Sequence, residues 1–228
     1  MIDYNPFSLK GKTILIQETS SEISQSLRRF CEESESRVVD IPDNYSNEEL
    51  TSFVNQAPFF DGVSLTVYPT KAIMSQFVTE EDTLDFFREI VLEKIMLCKA
   101  LFKKKKIGKN SSIVFSSPVA GIDNVHFGDI YNATFSSALR GLSKSLALEY
   151  GMKGIRVNHI RYGVLATKDL LDNKLLSQEE LAEKESFFPM KRFGKPEEVA
   201  NAILFLLSDA SSWITGTDLR IDGGYSIL

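Results

Sequence analysis

Pro189-Met190-Lys191-Arg192-Phe193-Gly194-Lys195-Pro196-Glu197-Glu198-Val199-Ala200 opens a helical pattern that runs from Glu197 to Leu207. Upstream of it, Gly154-Ile155-Arg156-Val157-Asn158 begins an apolar run, Ile155 to Ile160, of strand length. Downstream, Ser208-Asp209-Ala210-Ser211-Ser212 and Ile214-Thr215-Gly216 lead to a last short strand, Leu219 to Ile221, and then to Asp222-Gly223-Gly224. Strand, helix, strand is the alternation of a parallel sheet covered by helices.

Moving outward, the alternation holds to the N-terminus. Thr13 to Ile16 reads as a buried first strand, Ser21 to Glu33 as a helix and Arg37 to Ile41 as a short second strand. Ser46 to Asn55 supplies a helix, Val63 to Val67 a strand, and about Glu81 to Lys105 a long helical stretch. Ser112 to Phe115 is a strand, and Tyr131 to Tyr150 a helix rich in small residues. The expected class is α/β, a doubly wound parallel sheet in three layers.

Composition agrees with one domain over residues 1–228. The chain has 228 residues, 43% hydrophobic and 25% charged, enough for a full core. No apolar run reaches the roughly 18 residues that span a bilayer, and no basic-then-apolar leader is present, so a cytoplasmic protein is expected. A net charge of −5 argues against nucleic acid or anionic membrane as partners. The one basic run, Lys103-Lys104-Lys105-Lys106, reads as a solvated helix end. Cys31 and Cys98 make no CxxC and read as buried free thiols. His126 and His159 lack neighbours at ligand spacing, so no metal is expected.

The C-terminal segments quoted above, with Gly163 and Thr167, are similar nearly residue for residue to the classical short-chain dehydrogenase/reductase family, including 3-oxoacyl-carrier-protein reductases. Leu9-Lys10-Gly11-Lys12-Thr13 resembles the family's opening, and the likeness covers almost the whole chain. It implies a Rossmann-like fold, and for an active member NAD or NADP and hydride transfer.

Several residues depart from that pattern. The family's Thr-Gly-x-x-x-Gly-x-Gly turn lets backbone approach the cofactor pyrophosphate at a helix N-terminus. Here the stretch is Gln17-Glu18-Thr19-Ser20-Ser21-Glu22-Ile23-Ser24, with Glu18, Glu22 and Ser24 at the glycine positions. A carboxylate about 4 Å from a phosphate charge costs on the order of 4 kcal/mol at an effective dielectric near 20. Thr19-x-x-Glu22 matches a capping box, so the helix is expected to cap itself. Only about twenty residues separate Asp40 from the strand near Val63, too few for the family's helix, strand and helix. About six strands are therefore expected, without the edge strand on the adenine side. Leu65-Thr66-Val67-Tyr68 stands where the family has Asn-Asn-Ala-Gly.

The family's catalytic set is Asn, Ser, Tyr and Lys, with tyrosine as acid/base and lysine lowering its pKa. Tyr131 matches the tyrosine, but the lysine position is Phe135. In Ser116-Ser117-Pro118-Val119-Ala120-Gly121, counting back from Gly121 puts Pro118 at the serine position and Ser117 one residue early. The asparagine position falls near Ile90, and the Pro-Gly pair beyond the sixth family strand is Tyr162-Gly163. Tyr131 and Ser117 are thus the candidate catalytic residues, vestigial ones, and Thr167 reads as a local helix cap. No cofactor-binding residues remain and no cofactor is expected.

The leading expectation is a non-catalytic member serving as a binding or structural subunit. One alternative is an NAD(P)-dependent oxidoreductase acting on a carbonyl or alcohol, and another is a small-molecule sensor using the vacated cleft. The expected partner is a second copy, as dimer or tetramer, or an active relative in a mixed oligomer. Two long helices and the apolar tail Tyr225-Ser226-Ile227-Leu228 would supply the contacts.

Overall fold

Six short apolar runs pair into one parallel sheet in the computed structural model, which describes residues 5–17, 20–41, 45–68, 72–119, 125–172 and 177–227. The strands are β1 (Thr13–Gln17), β2 (Arg37–Ile41), β3 (Gly62–Thr66), β4 (Ser112–Pro118), β5 (Arg156–Tyr162) and β6 (Asp218–Ile221), ordered β2-β1-β3-β4-β5-β6. The helices are α1 (Glu22–Glu33), α2 (Asn47–Gln56), α3 (Glu80–Phe87), α4 (Glu93–Lys103), α5 (Ile130–Gly151), α6 (Lys168–Leu171), α7 (Gln178–Ser186) and α8 (Pro196–Leu207).

Side-chain alternation along the strands divides the interior in two. Ile14 and Ile16 pack with Val114, Ile160 and residues of α1 and α8. Leu15 turns the other way and joins Val63, Leu65, Phe115 and Val157 under α2, α4 and α5. Both faces of the sheet are covered, so the strands read as continuous apolar runs.

The six-strand expectation holds. α2 is closed by a full capping box between Ser46 and Glu49. It leads to β3, which pairs directly with β1 from Ile14↔Gly62 to Gln17↔Leu65. Gly62 permits that approach, because a Cβ there would lie 2.7 Å from Ile14 Cδ1 and 3.1 Å from Leu207 Cδ2. Among the described residues no strand falls between Ile41 and Phe60, and β2 is left at the sheet edge.

Other details differ from the sequence reading. The stretch expected as one helix from Glu81 to Lys105 is α3 and α4 joined by a π turn at Arg88–Leu92. The wider turn buries both Ile90 and Val91, and Lys94 Nζ donates to the Glu89 carbonyl within it at 3.0 Å. β4 and β5 run on to Pro118 and Tyr162, and the polar helices α6 and α7 carry no apolar period to announce them. Lys103 ends α4 as expected, but Lys106 turns inward and donates to the Ala57 carbonyl beyond α2. Cys31 and Cys98 are buried free thiols, pushed up by burial to about 11 and about 12. Among the described residues no helix is long and apolar enough to cross a membrane.

A cleft at the carboxyl ends of the strands

Parallel strands direct their carboxyl ends, and the N-termini of the helices that follow, to one edge of the sheet. There β1 ends in Gln17, whose buried side-chain amide finds no hydrogen-bond partner among the described residues. Glu18 and Thr19 lie outside the described residues, so the expected Thr19 cap is not seen. The N-cap of α1 is Ser21, whose Oγ accepts from Ser24 N–H at 3.0 Å. The described N-cap is thus Ser21, and the Thr19–Glu22 capping box lies outside the described residues. The Glu22 carboxylate crosses to α6 and accepts the Lys168 N–H at 2.8 Å. Thr167 caps α6 as read, accepting from Leu170 N–H at 3.3 Å.

Tyr68 fills the space before α1. Its hydroxyl is buried, and among the described residues no partner meets it at full hydrogen-bond geometry. Burial raises the phenol's pKa, while the nearby Ser21 hydroxyl and the N–H groups of Ile23 and Glu22 offset part of that rise. Tyr162, at the end of β5, donates its hydroxyl to the Val67 carbonyl at 2.6 Å and closes the floor.

The structure separates the two candidate catalytic residues from the cleft. Tyr131, in the first turn of α5, is buried, and its hydroxyl lies 3.1 Å from Thr83 Oγ1 on α3. Its ring stacks on Phe135 at 5.7 Å and packs against Phe86 at 4.8 Å. Asn132, the next residue, lines the cleft instead, as does Pro118. Ala120 and Gly121, which anchored the serine count, lie outside the described residues.

Ser117 is fully buried, with Oγ 3.0 Å from His159 Nε2. His159 Nδ1 is 3.1 Å from Asp218 Oδ1, which also accepts from Arg161 Nε at 2.8 Å. Arg140 Nε, from α5, lies 2.6 Å from Asp218 Oδ2. Serine, histidine and aspartate stand in the order of a nucleophilic relay. However, neither Ser117 nor His159 reaches the cleft, so the chain serves to tie β4, β5, β6 and α5 together. Burial lowers the His159 pKa more than Asp218 raises it. Burial pushes the Asp218 carboxyl up, but His159 and Arg161 outweigh it and hold the group well below the usual carboxylate range. Sequence reasoning missed this network. Its only local signal is the two-residue spacing of Val157, His159 and Arg161, which puts them on one face.

The cleft itself encloses about 410 Å³. Tyr68, Pro118, Val119, Tyr162, Leu165 and Leu170 form its apolar walls. His126, Asp129, Asn132, Thr167, Asp169 and Tyr225 provide its polar groups. Tyr225 OH lies 2.9 Å from His126 Nε2 across the mouth, and its ring stacks on Phe188 at 4.8 Å. The segment Met190 to Val199 borders a neighbouring hollow of about 310 Å³, which shares Val164 and Leu165 with the cleft. There Arg192 grips Glu198 through two hydrogen bonds and brings its pKa to about 2. Among the described residues no group of three or more His, Cys, Asp or Glu could hold a metal ion.

A protein-family model described as enoyl-(acyl carrier protein) reductase matches residues 9–226. Protein FixR of Bradyrhizobium diazoefficiens is 34% identical over 189 residues, covering 82% of this chain and 63% of that protein. Glucose 1-dehydrogenase 2 of Bacillus subtilis is 41% identical over 100 residues, 43% of this chain and 38% of that one. The chain thus spans less than two thirds of either of these relatives. The 3-oxoacyl-[acyl-carrier-protein] reductase of Rickettsia felis is 28% identical over 239 residues, 95% and 97% of the two chains. A short chain dehydrogenase family protein from Francisella tularensis superposes with a TM-score of 0.85 at 22% identity, covering 96% of this chain and all of that one. That likeness is one of fold.

Proposed function

This chain belongs to the short-chain dehydrogenase/reductase family, whose members here include proteins named as reductases, and we propose that it is a non-catalytic member acting as a binding or structural subunit. The observation that carries this reading is the hydrogen bond from Lys168 N–H to the Glu22 carboxylate. Where a dinucleotide would lay its pyrophosphate on the α1 N-terminus, this chain sets a carboxylate of its own and a half-buried tyrosine whose hydroxyl is buried. Negative phosphate beside Glu22 is opposed by charge, and Tyr68 opposes it by bulk. The residues present therefore do not fit NAD or NADP. Tyr131 adds support, because its hydroxyl is spent on Thr83 and Phe135 stands where a lysine would sharpen its acidity.

Thermal-shift and calorimetric titration with NADH and NADPH tests the reading. A ligand that binds only the native state raises the melting temperature, by about 2.7 kcal/mol of added stability at a hundredfold excess over Kd. Millimolar NADH or NADPH is expected to leave the melting temperature unchanged. A saturable rise with either would sink the proposal.

A further inference from the structure

With Tyr68 and Glu22 in place of the nucleotide, the remaining cleft has a distinct character. Its volume of about 410 Å³ lies at the small end of ligand pockets, which run from about 300 to 1,000 Å³. Its walls are apolar, and its charged lining residues are two acids, Asp129 and Asp169. No lysine or arginine is among its described lining residues. The backbone N–H of Lys168, between the lining residues Thr167 and Asp169, brings the Glu22 carboxylate beside it as a third negative charge. The two lining acids are not equivalent. Asp129 accepts from His126 N–H at 3.0 Å and stands at the N-cap of α5, where the helix dipole offsets its charge. Asp169, exposed in the first turn of the four-residue α6, makes no hydrogen bond or ion pair with a described residue.

We propose that this cleft binds a small apolar molecule carrying an ammonium group, seated with its apolar body against Tyr68, Pro118 and Leu165 and its cation toward Asp169. The proposal rests on the reading that no dinucleotide enters. Among the described lining residues, anionic ligands of the same size meet two or three carboxylates and no lysine or arginine, so they are rejected by charge rather than by shape. An apolar wall with few placed polar groups fixes where such a ligand sits and which way it points.

Three probes with one ring and similar size separate charge from shape: 2-phenylethylamine, phenylacetate and 2-phenylethanol. Binding is followed by chemical-shift perturbation on the full chain. The amine should bind saturably in the millimolar range or tighter, at least tenfold more tightly than phenylacetate, a difference of about 1.4 kcal/mol. Asp169→Asn should weaken the amine about tenfold and leave 2-phenylethanol unchanged. Val164→Trp changes an exposed lining residue, so it should preserve the fold and block all three probes. The proposal is overturned if phenylacetate binds as well as the amine, if Asp169→Asn has no effect, or if none of the three binds. NADH is titrated in parallel. Its saturable binding would overturn the non-catalytic reading, whereas failure of the amine without NADH binding overturns only this proposal.

Discussion

Burial strips His159 of water and leaves it one carboxylate, Asp218, which two arginines share, so the ring stays neutral where a free histidine would take up a proton. This has a consequence for stability. Above about pH 6.5 the ring is neutral both folded and unfolded, and the group contributes no slope. Below that value the unfolded chain binds a proton that the folded chain refuses. Stability then falls with pH, by up to about 1.4 kcal/mol per unit, until the lowered folded pKa is reached. Asp218 adds a second loss in the same direction, beginning lower, below the ordinary carboxyl value of 3.8. Urea midpoints between pH 7.5 and 5 should therefore decline for the wild type and decline less for His159→Gln. Equal slopes would show that His159 titrates as it would in water. None of this was legible from His159 alone, because its partners come from β4 and β6 and meet it only after the sheet forms.

Local elements were read well where they rest on local causes. The strands centred on Leu15, Val39, Leu65 and Val157 announced themselves as apolar runs, and the short gap after Asp40 foretold the missing strand. Polar helices were harder to see. Ser177-Gln178-Glu179-Glu180 does carry a capping-box pattern, realised in α7 by Ser177 and Glu180, but without an apolar stripe the signal passed unread. Glu22 shows what a local pattern does not carry: its carboxylate accepts the Lys168 N–H, 146 residues away. That contact joins α1 to α6, a helix of only four residues. Replacing Glu22 with Ala should leave global stability within about 1 kcal/mol, the usual worth of one hydrogen bond at an exposed site. Amide exchange at Lys168 should rise by severalfold as α6 loosens. An unchanged exchange rate would mean that Thr167 and the chain around it hold α6 without Glu22.

At the scale of the molecule, the open matter is what covers α5. Its small residues could have faced the sheet, and some do, since Ser136 and Ala147 are buried. Yet Thr134, Ser137, Gly141 and Ser145 are exposed and follow one another at helical spacing. The stripe continues into Leu148 and Met152, which are 78% and 82% exposed. The tail argues less strongly than its sequence suggested. Tyr225 packs on Phe188 and His126 of its own chain, Ile227 remains exposed, and Leu228 lies outside the described residues. We therefore expect self-association through α5, where small side chains let two helices approach closely and the apolar end gains by leaving water. Light scattering should give a mass of two or four chains. Gly141→Glu tests the face directly, because a Cβ at Gly141 meets nothing within 4 Å and the monomer should tolerate it. Replacing a helical glycine should even favour the helix, by up to about 1 kcal/mol. The variant should keep its circular dichroism and lose mass by half or more. A wild-type monomer at micromolar concentration would refute self-assembly and leave the same face to be tested, by pull-down, for a mixed complex with an active relative.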